Sequence, residues 1–480
     1  MKYMLSLLEN LRAAHLVFFG GYALYLVFSY MTFHSATLLS AGGEVDFHVQ
    51  SLFMISSTLT RFVLFVAIAF FVRKLLLKVS VSVLVAAALA LACMGFLIAG
   101  MIIQFSEIIP AHLYTPWLLL CGTLFGLSDV VLVLLWFRFT ITLPERGVYI
   151  YVLVCKAASL ALYFLATLLP GFLSLPAAAA LFIVSALFAK RALDIRQSAQ
   201  WECSKPVLRG ALKSLLHPVL GASILCFMSG LMLQISGQSE IALEDFQQTA
   251  LLSSAAIVIV LLIPALLVKK PVNVHRMYAL AIPLSAAGFL LLPLIWNAAG
   301  GIVNSLAQLG AMVANIILWC LLADRLNDTK LPPYQLFSIS FACINAALFT
   351  GTVVGYLYAR VLAPSDVALT AIALVAIYFL LMVALFLFKD KNLNGMEAQG
   401  HTEPVREIVQ LPSRCEEIAR NHRFTPREGE IFLFLAQGYT VTAISSKLYV
   451  SENTIKSHVK SIYQKLSIHT RSELIELVNA

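Results

Sequence analysis

The chain has 480 residues, of which 60% are hydrophobic and only 12% charged, with a net charge of +8. Soluble domains carry about a quarter charged residues. This balance, with a mean hydropathy of +0.88, excludes an ordinary soluble protein and points to a polytopic membrane protein.

The first apolar stretch, roughly residues 13–33, is long enough to span a bilayer, and no A-x-A-type cleavage site follows it. No cleavable signal peptide is therefore expected. Apolar runs of about 20 residues then recur, each able to cross about 30 Å of hydrocarbon as a helix. Twelve are predicted, centred near Tyr25, Phe62, Ala92, Phe125, Leu160, Phe182, Cys226, Val258, Ala287, Val313, Asn345 and Tyr378. The fifth and sixth are separated only by the turn at Pro170 and Gly171.

Lys and Arg concentrate in alternate loops. One set holds Arg73, Lys74 and Lys78, then Lys190, Arg191, Arg196, Lys205, Arg209 and Lys213, then Lys269, Lys270 and Arg276. The other set holds only Arg360 among acids such as Glu44, Asp46, Glu240 and Asp366. The basic side is expected to be cytoplasmic, which puts both termini inside. The long basic loop between spans six and seven divides the bundle six and six, which resembles the major facilitator layout. A Gly-Asp-Arg-type loop would be that family's strongest motif. Here the loop between spans two and three reads Val72-Arg73-Lys74-Leu75-Leu76-Leu77-Lys78, without the Gly and Asp.

Three ionisable residues fall inside predicted spans: Arg61 in the second, Asp129 in the fourth and Lys156 in the fifth. Asp129 and Lys156 lie at a similar depth and Arg61 slightly deeper, so that at about 1.5 Å per residue all three could meet at one level. A charge at mid-membrane costs at least about 2.5 kcal/mol, so these side chains should face the bundle interior and pair. Two readings follow: a polar-ligand or proton site, or a structural ion pair of Asp129 with Lys156 or Arg61. Asn304, Gln308, Asn315 and Asn345 are weaker candidates, since amides in spans often bond neighbouring helices. The Gly351-x-x-x-Gly355 spacing is expected to permit close helix packing. The eight cysteines form no C-x-x-C pair. No disulfide, metal site or cofactor is expected, and no constellation suggests an enzyme.

Composition changes abruptly at Lys389. The domain reading is a transmembrane region over 1–388, a polar linker over 389–423 and a small domain over 424–480. The linker has a typical reach of about 30 Å. Its end, Arg414 to Arg420, looks helical, and Ile418 is placed to pack on the next domain.

In the small domain Thr425 and Pro426 read as an N-cap with proline at the first helical position, and Glu428 completes a capping box. Gln437-Gly438 stops this helix. A short second helix holds Ile444 and Leu448, a tight turn follows, and Ser451 caps a third helix. There Ile455, Val459, Ile462 and Leu466 face a core. The opposite face carries Asn453, Thr454, Lys456, Ser457, Lys460, Ser461 and Gln464. A short helix, a tight turn and a basic, small-polar helix are what helix-turn-helix docking in a major groove requires. Arg471 to Val478 reads as a fourth helix. The domain carries six basic against five acidic residues, so non-specific DNA affinity should be modest and salt-sensitive.

Phe424-Thr425-Pro426-Arg427-Glu428, Leu435-Ala436-Gln437-Gly438, Val450 to His458 and Lys465-Leu466 closely resemble the LuxR-type effector domain, also described as FixJ/NarL-like. Ser467 departs from it, standing where that family usually has glycine. The resemblance implies four helices with the third in the major groove. It assigns Lys456, Ser457 and Lys460 to base edges, and Thr454, Lys465 and Arg471 to phosphates. It implies a homodimer on inverted half-sites, a contact with RNA polymerase and a place in a bacterial inner membrane. No receiver domain precedes the effector, so the membrane bundle is the candidate input module. The expectation is an all-α, membrane-embedded one-component transcriptional regulator whose bundle senses a small molecule. The alternative is a transporter with a DNA-binding regulatory tail.

Overall fold

The computed structural model describes residues 13–34, 47–72, 79–105, 111–143, 145–195, 205–236, 243–267, 274–329, 331–361 and 366–389, and then 415, 418–436, 444–445, 448, 450, 452–466, 468 and 473–474. The chain divides into two compact units, Met1–Gly395 and Met396–Ala480. The regular elements among the described residues are helical.

The first unit holds α1 (Ala13–Ser29), α2 (Phe47–Ala67), α3 (Val81–Gln104), α4 (Ala111–Thr140), α5 (Glu145–Thr167) and α6 (Gly171–Ile195). It continues with α7 (Lys205–Ser236), α8 (Leu243–Leu267), α9 (Val274–Thr329), α10 (Pro333–Val361) and α11 (Asp366–Lys389). A backbone in hydrocarbon must satisfy its own hydrogen bonds, so apolar runs of this length become helices. Eight described helices are long and apolar enough to cross a membrane, and four shorter apolar helices accompany them. Each of the twelve predicted centres falls inside one of these segments. The close pair separates cleanly, with α5 ending at Thr167 and α6 starting at Gly171.

The ninth and tenth spans are joined without a break in helical assignment, yet they form a hairpin. Ser285 Oγ donates to the Ala307 carbonyl at 3.1 Å. A straight helix would hold those residues about 33 Å apart, so α9 doubles back on itself.

Within the first six helices, α4 packs on α2 and α3, and α1 packs on α5 and α6. In the remainder α7 packs on α9, α10 and α11. The α7–α10 contact is made by backbone. A Cβ on Gly355 would come within 2.8 Å of the Leu231 carbonyl oxygen, and one on Gly351 would collide with that of Phe227. The small residues of the G-x-x-x-G spacing therefore let two helices touch.

The two halves meet along α2 with α10, and α5 with α8 and α9. An aromatic cluster closes one end of this seam. Phe137 and Phe337 have ring centroids 4.1 Å apart, Trp319 and Phe137 5.1 Å, and Tyr22 and Trp319 5.7 Å. Phe65 on α2 packs on Phe337 and Phe341 of α10. Toward the other ends of the same two helices, the Tyr356 hydroxyl lies 2.6 Å from His48 Nδ1. Ser51 Oγ nearby donates to Gln234 Oε1 on α7 at 2.7 Å.

The second unit contains α12 (Pro426–Ala436) and α13 (Glu452–Leu466). Its core joins Cys415, Ile431, Phe432, Leu435, Ile444, Ile455, Ile462 and Leu466, with Val459 partly buried against it. Ile418 also packs on this core, as the linker's end suggested.

Candidate functional site

In the second unit α12 starts with a reciprocal capping box. The Thr425 amide donates to Glu428 Oε2 at 2.7 Å, and the Glu428 amide donates to Thr425 Oγ1 at 3.3 Å. The same carboxylate fastens α13. It accepts from Ser461 Oγ at 2.7 Å and from Lys465 Nζ at 2.6 Å. Burial pushes the Glu428 carboxyl upward, but the bonds from Lys465, Ser461 and Thr425 outweigh it and bring its pKa down to about 2. Arg427 adds a second tie, donating to the Leu448 carbonyl at 3.2 Å. One buried acid thus sets the position of α13 against α12.

With Ile455 and Ile462 buried, Asn453, Thr454, Lys456, Ser457, Lys460 and Gln464 are exposed together on α13. This is a continuous polar, basic face of the width that a major groove admits. Ser457 Oγ donates to the Thr454 carbonyl at 2.7 Å, leaving its oxygen free to accept. Two residues expected on or near this face turn partly inward. Ser461 is bonded to Glu428. Lys465, 33% exposed, donates to both Glu428 and the Arg423 carbonyl, so one of its three N–H donors remains. Arg471, Ser451, Gln437-Gly438 and most of the fourth helix lie outside the described residues.

In the first unit Arg61 and Asp129 come together, with Arg61 Nη1 3.6 Å from Asp129 Oδ2 and side chains 13% and 5% exposed. Tyr25 on α1 donates its hydroxyl to Asp129 Oδ1 at 2.8 Å. The Arg61 guanidinium also lies on the Phe33 ring, 3.9 Å from its centroid. Lys156 takes a different partner: its Nζ is 3.5 Å from the Tyr30 hydroxyl and 5.1 Å from that ring's centroid. Tyr30 and Phe33 both belong to the π-helical turn Tyr30–His34 that extends α1. Of the two pairings open to Asp129, the structure has the one with Arg61. Tyr25, which sequence reasoning missed, carries no signal beyond being a tyrosine in a span.

The second half offers neutral polar groups. Gln308 Nε2 donates to the Ser229 carbonyl at 3.0 Å and to Asn304 Oδ1 at 3.3 Å. Asn345 bonds its own helix at Phe341. Asn315 donates to Cys226 Sγ, while its buried Oδ1 has no partner. A separate groove of about 420 Å³ between α1, α5 and α6 is lined by apolar side chains such as Leu24, Leu165 and Leu181, and none of these polar groups lines it.

A multi-span helical bundle and a helix-turn-helix on one chain define a membrane protein with a DNA-binding regulatory domain. The family model of bacterial regulatory proteins of the luxR type (GerE) matches residues 422–478. The spore germination protein GerE of Bacillus subtilis is 39% identical over 51 residues, covering 11% of this chain and 69% of GerE. The transcriptional regulatory protein DegU of Brevibacillus brevis is 37% identical over 54 residues, covering 11% of this chain and 23% of DegU. The chain therefore belongs to the luxR family of bacterial regulatory proteins, although it spans only about a quarter of the length of DegU.

The bundle has its own similarities. A bacterial homologue of the iron transporter ferroportin, in an outward-facing state, superposes with a TM-score of 0.58 at 12% identity. That match covers 78% of this chain and 98% of that one. The human organic anion transporter MFSD10 (TETRAN) gives 0.51 at 14% identity, covering 78% of this chain and 99% of that one. The membrane unit shares its fold with these two transporter structures.

Proposed function

We propose that this protein is a membrane-embedded one-component transcriptional regulator. A small molecule held in the transmembrane bundle would bias two arrangements of its helices, and the helix-turn-helix would read the result out on DNA. The single observation that carries this reading is the pairing, on one chain, of an exposed basic face on α13 with a bundle of transporter fold holding charges in its interior. A bundle that only anchored a domain would need one span.

In this reading Lys456, Ser457 and Lys460 approach base edges, with Ser457 accepting from a base amino group. Thr454, Arg471 and the one free N–H of Lys465 hold phosphates. Two copies bind inverted half-sites about one helical turn apart. The protein lies in the bacterial inner membrane with both termini cytoplasmic, in line with the Lys/Arg bias of its loops. Activation would proceed through contact with RNA polymerase. The membrane-interior site consists of Arg61 and Asp129, with Lys156 nearby in sequence depth.

The test is transcription profiling of the host with and without this gene across a panel of small molecules. An operon that responds to one compound only when the gene is intact bears the reading out. Loss of uptake of a compound on deletion, with a flat transcript profile, would instead make the protein a transporter with a DNA-binding tail.

A further inference from the structure

Away from the helix ends, the described interior of α1–α6 carries two cations and one acid: Arg61, Lys156 and Asp129. The acid is already taken. Asp129 accepts from Tyr25 at 2.8 Å and faces Arg61 at 3.6 Å. Among the described residues Lys156 has no acidic partner; its ammonium meets only the hydroxyl and ring of Tyr30. Arg61 is not satisfied by Asp129 either. The 3.6 Å separation is longer than a charge-assisted hydrogen bond, and its buried Nε has no partner. Among the described residues the interior therefore holds one positive charge in excess and a guanidinium with an unpartnered N–H.

Both cations are held on one short element. Arg61 rests on Phe33 and Lys156 on Tyr30, three residues apart on the π-helical turn Tyr30–His34. Away from the helix ends, the described interior of the second half adds amides and hydroxyls and no charge; among them is Asn315, whose Oδ1 is unpartnered. The chemistry that this arrangement lacks is a single negative charge with two acceptor oxygens.

We infer that the ligand of the bundle is an organic monoanion, a carboxylate, clamped between Arg61 and Lys156, with Asp129 as the competing counter-ion that holds Arg61 when the site is empty. This rests on the sensing reading above and names its ligand class. Ligand entry trades the loose Asp129–Arg61 pair for a carboxylate with two hydrogen-bonding oxygens. It leaves Asp129 to Tyr25 on α1.

The test uses the purified full-length protein in detergent, with thermal unfolding measured against benzoate, phenylacetate and hexanoate, each paired with its primary amide. At least one acid is expected to raise the melting temperature, and its amide to bind roughly tenfold or more weakly. Lys156→Met should melt higher than wild type without ligand, because an uncompensated, partly buried charge is gone, and should lose the response to the acid. Lys156→Arg should keep it, and Asp129→Asn should not abolish it. Equal shifts from acid and amide, a Lys156→Met protein that keeps the acid shift, or a panel without any shift would overturn the proposal. A reporter assay separates the two levels. A neutral compound that switches the reporter sinks the monoanion and leaves sensing intact. Acids that bind with this selectivity but leave the reporter flat sink sensing and leave the anion site standing.

Discussion

Glu428→Gln is the sharpest test of how α13 is positioned against α12. The wild-type carboxylate is 4% exposed and takes bonds from Thr425, Ser461 and Lys465, with its pKa brought from the ordinary 4.5 to about 2. That difference corresponds to about 3 kcal/mol of linked stability, and to roughly 2 kcal/mol once solvent screening of the one-third-exposed Lys465 is allowed for. Because the folded value lies below the unfolded one, this stability is fully present above about pH 4.5. It drains away as the pH falls from there toward 2. Urea unfolding of the segment 396–480, followed by circular dichroism, should show Glu428→Gln weaker by roughly 2 kcal/mol at pH 7. Between pH 4.5 and 2.5 the gap should close, since the wild type loses what the variant never had. The reasoning is refuted if the two proteins lose stability in parallel across that window, or if they differ by less than about 0.5 kcal/mol at pH 7.

Lys456→Ala and Lys460→Ala should each weaken operator binding by about 1–3 kcal/mol in fluorescence anisotropy, with unchanged unfolding midpoints, because both side chains are exposed. Arg61→Met alone should destabilise the bundle by about 3–5 kcal/mol by leaving Asp129 without its cation, while the double variant with Asp129→Asn should recover most of the loss in detergent melts. Gly351→Val should sharply lower the melting temperature, since even a Cβ would strike the Phe227 backbone; Gly20→Ala, where nothing lies within 4 Å, should melt like wild type. Tyr25→Phe should cost about 1–3 kcal/mol through the bond lost at Asp129, read in the same melts.

The parts of this architecture that were legible in the sequence are those set by period and length. Twelve apolar runs give twelve apolar helical segments, eight of them long enough to cross, because a lipid-exposed backbone has no alternative to the helix. Ile455, Val459, Ile462 and Leu466 face the core because one face of a 3.6-residue period must be buried. Thr425 and Glu428 cap one another because three residues separate them. Partner choice was harder. Depth along the helices puts Arg61, Asp129 and Lys156 at one level, but rotation about each axis, which packing decides, gives Asp129 to Arg61 and Lys156 to Tyr30. Lys465 and Ser461 likewise read as groove-facing polar residues, and an acid more than thirty positions earlier draws them in. The hairpin of α9 was legible as two apolar runs centred near Ala287 and Val313, although its backbone keeps helical assignment throughout.

The fusion of the two units in one chain changes what a search for an operator means. A soluble regulator diffuses through the cell volume and slides along DNA until it meets its site. A reader covalently bound to a bundle of spanning helices moves only in the plane of the bilayer. The chromosome must then supply the third dimension. Loci that visit the envelope often are regulated readily, and a target gene's position becomes part of its response. On the proposed reading, input and output share one chain, so the strength of the signal scales with the number of protein copies near that locus, with no diffusible messenger to spread it.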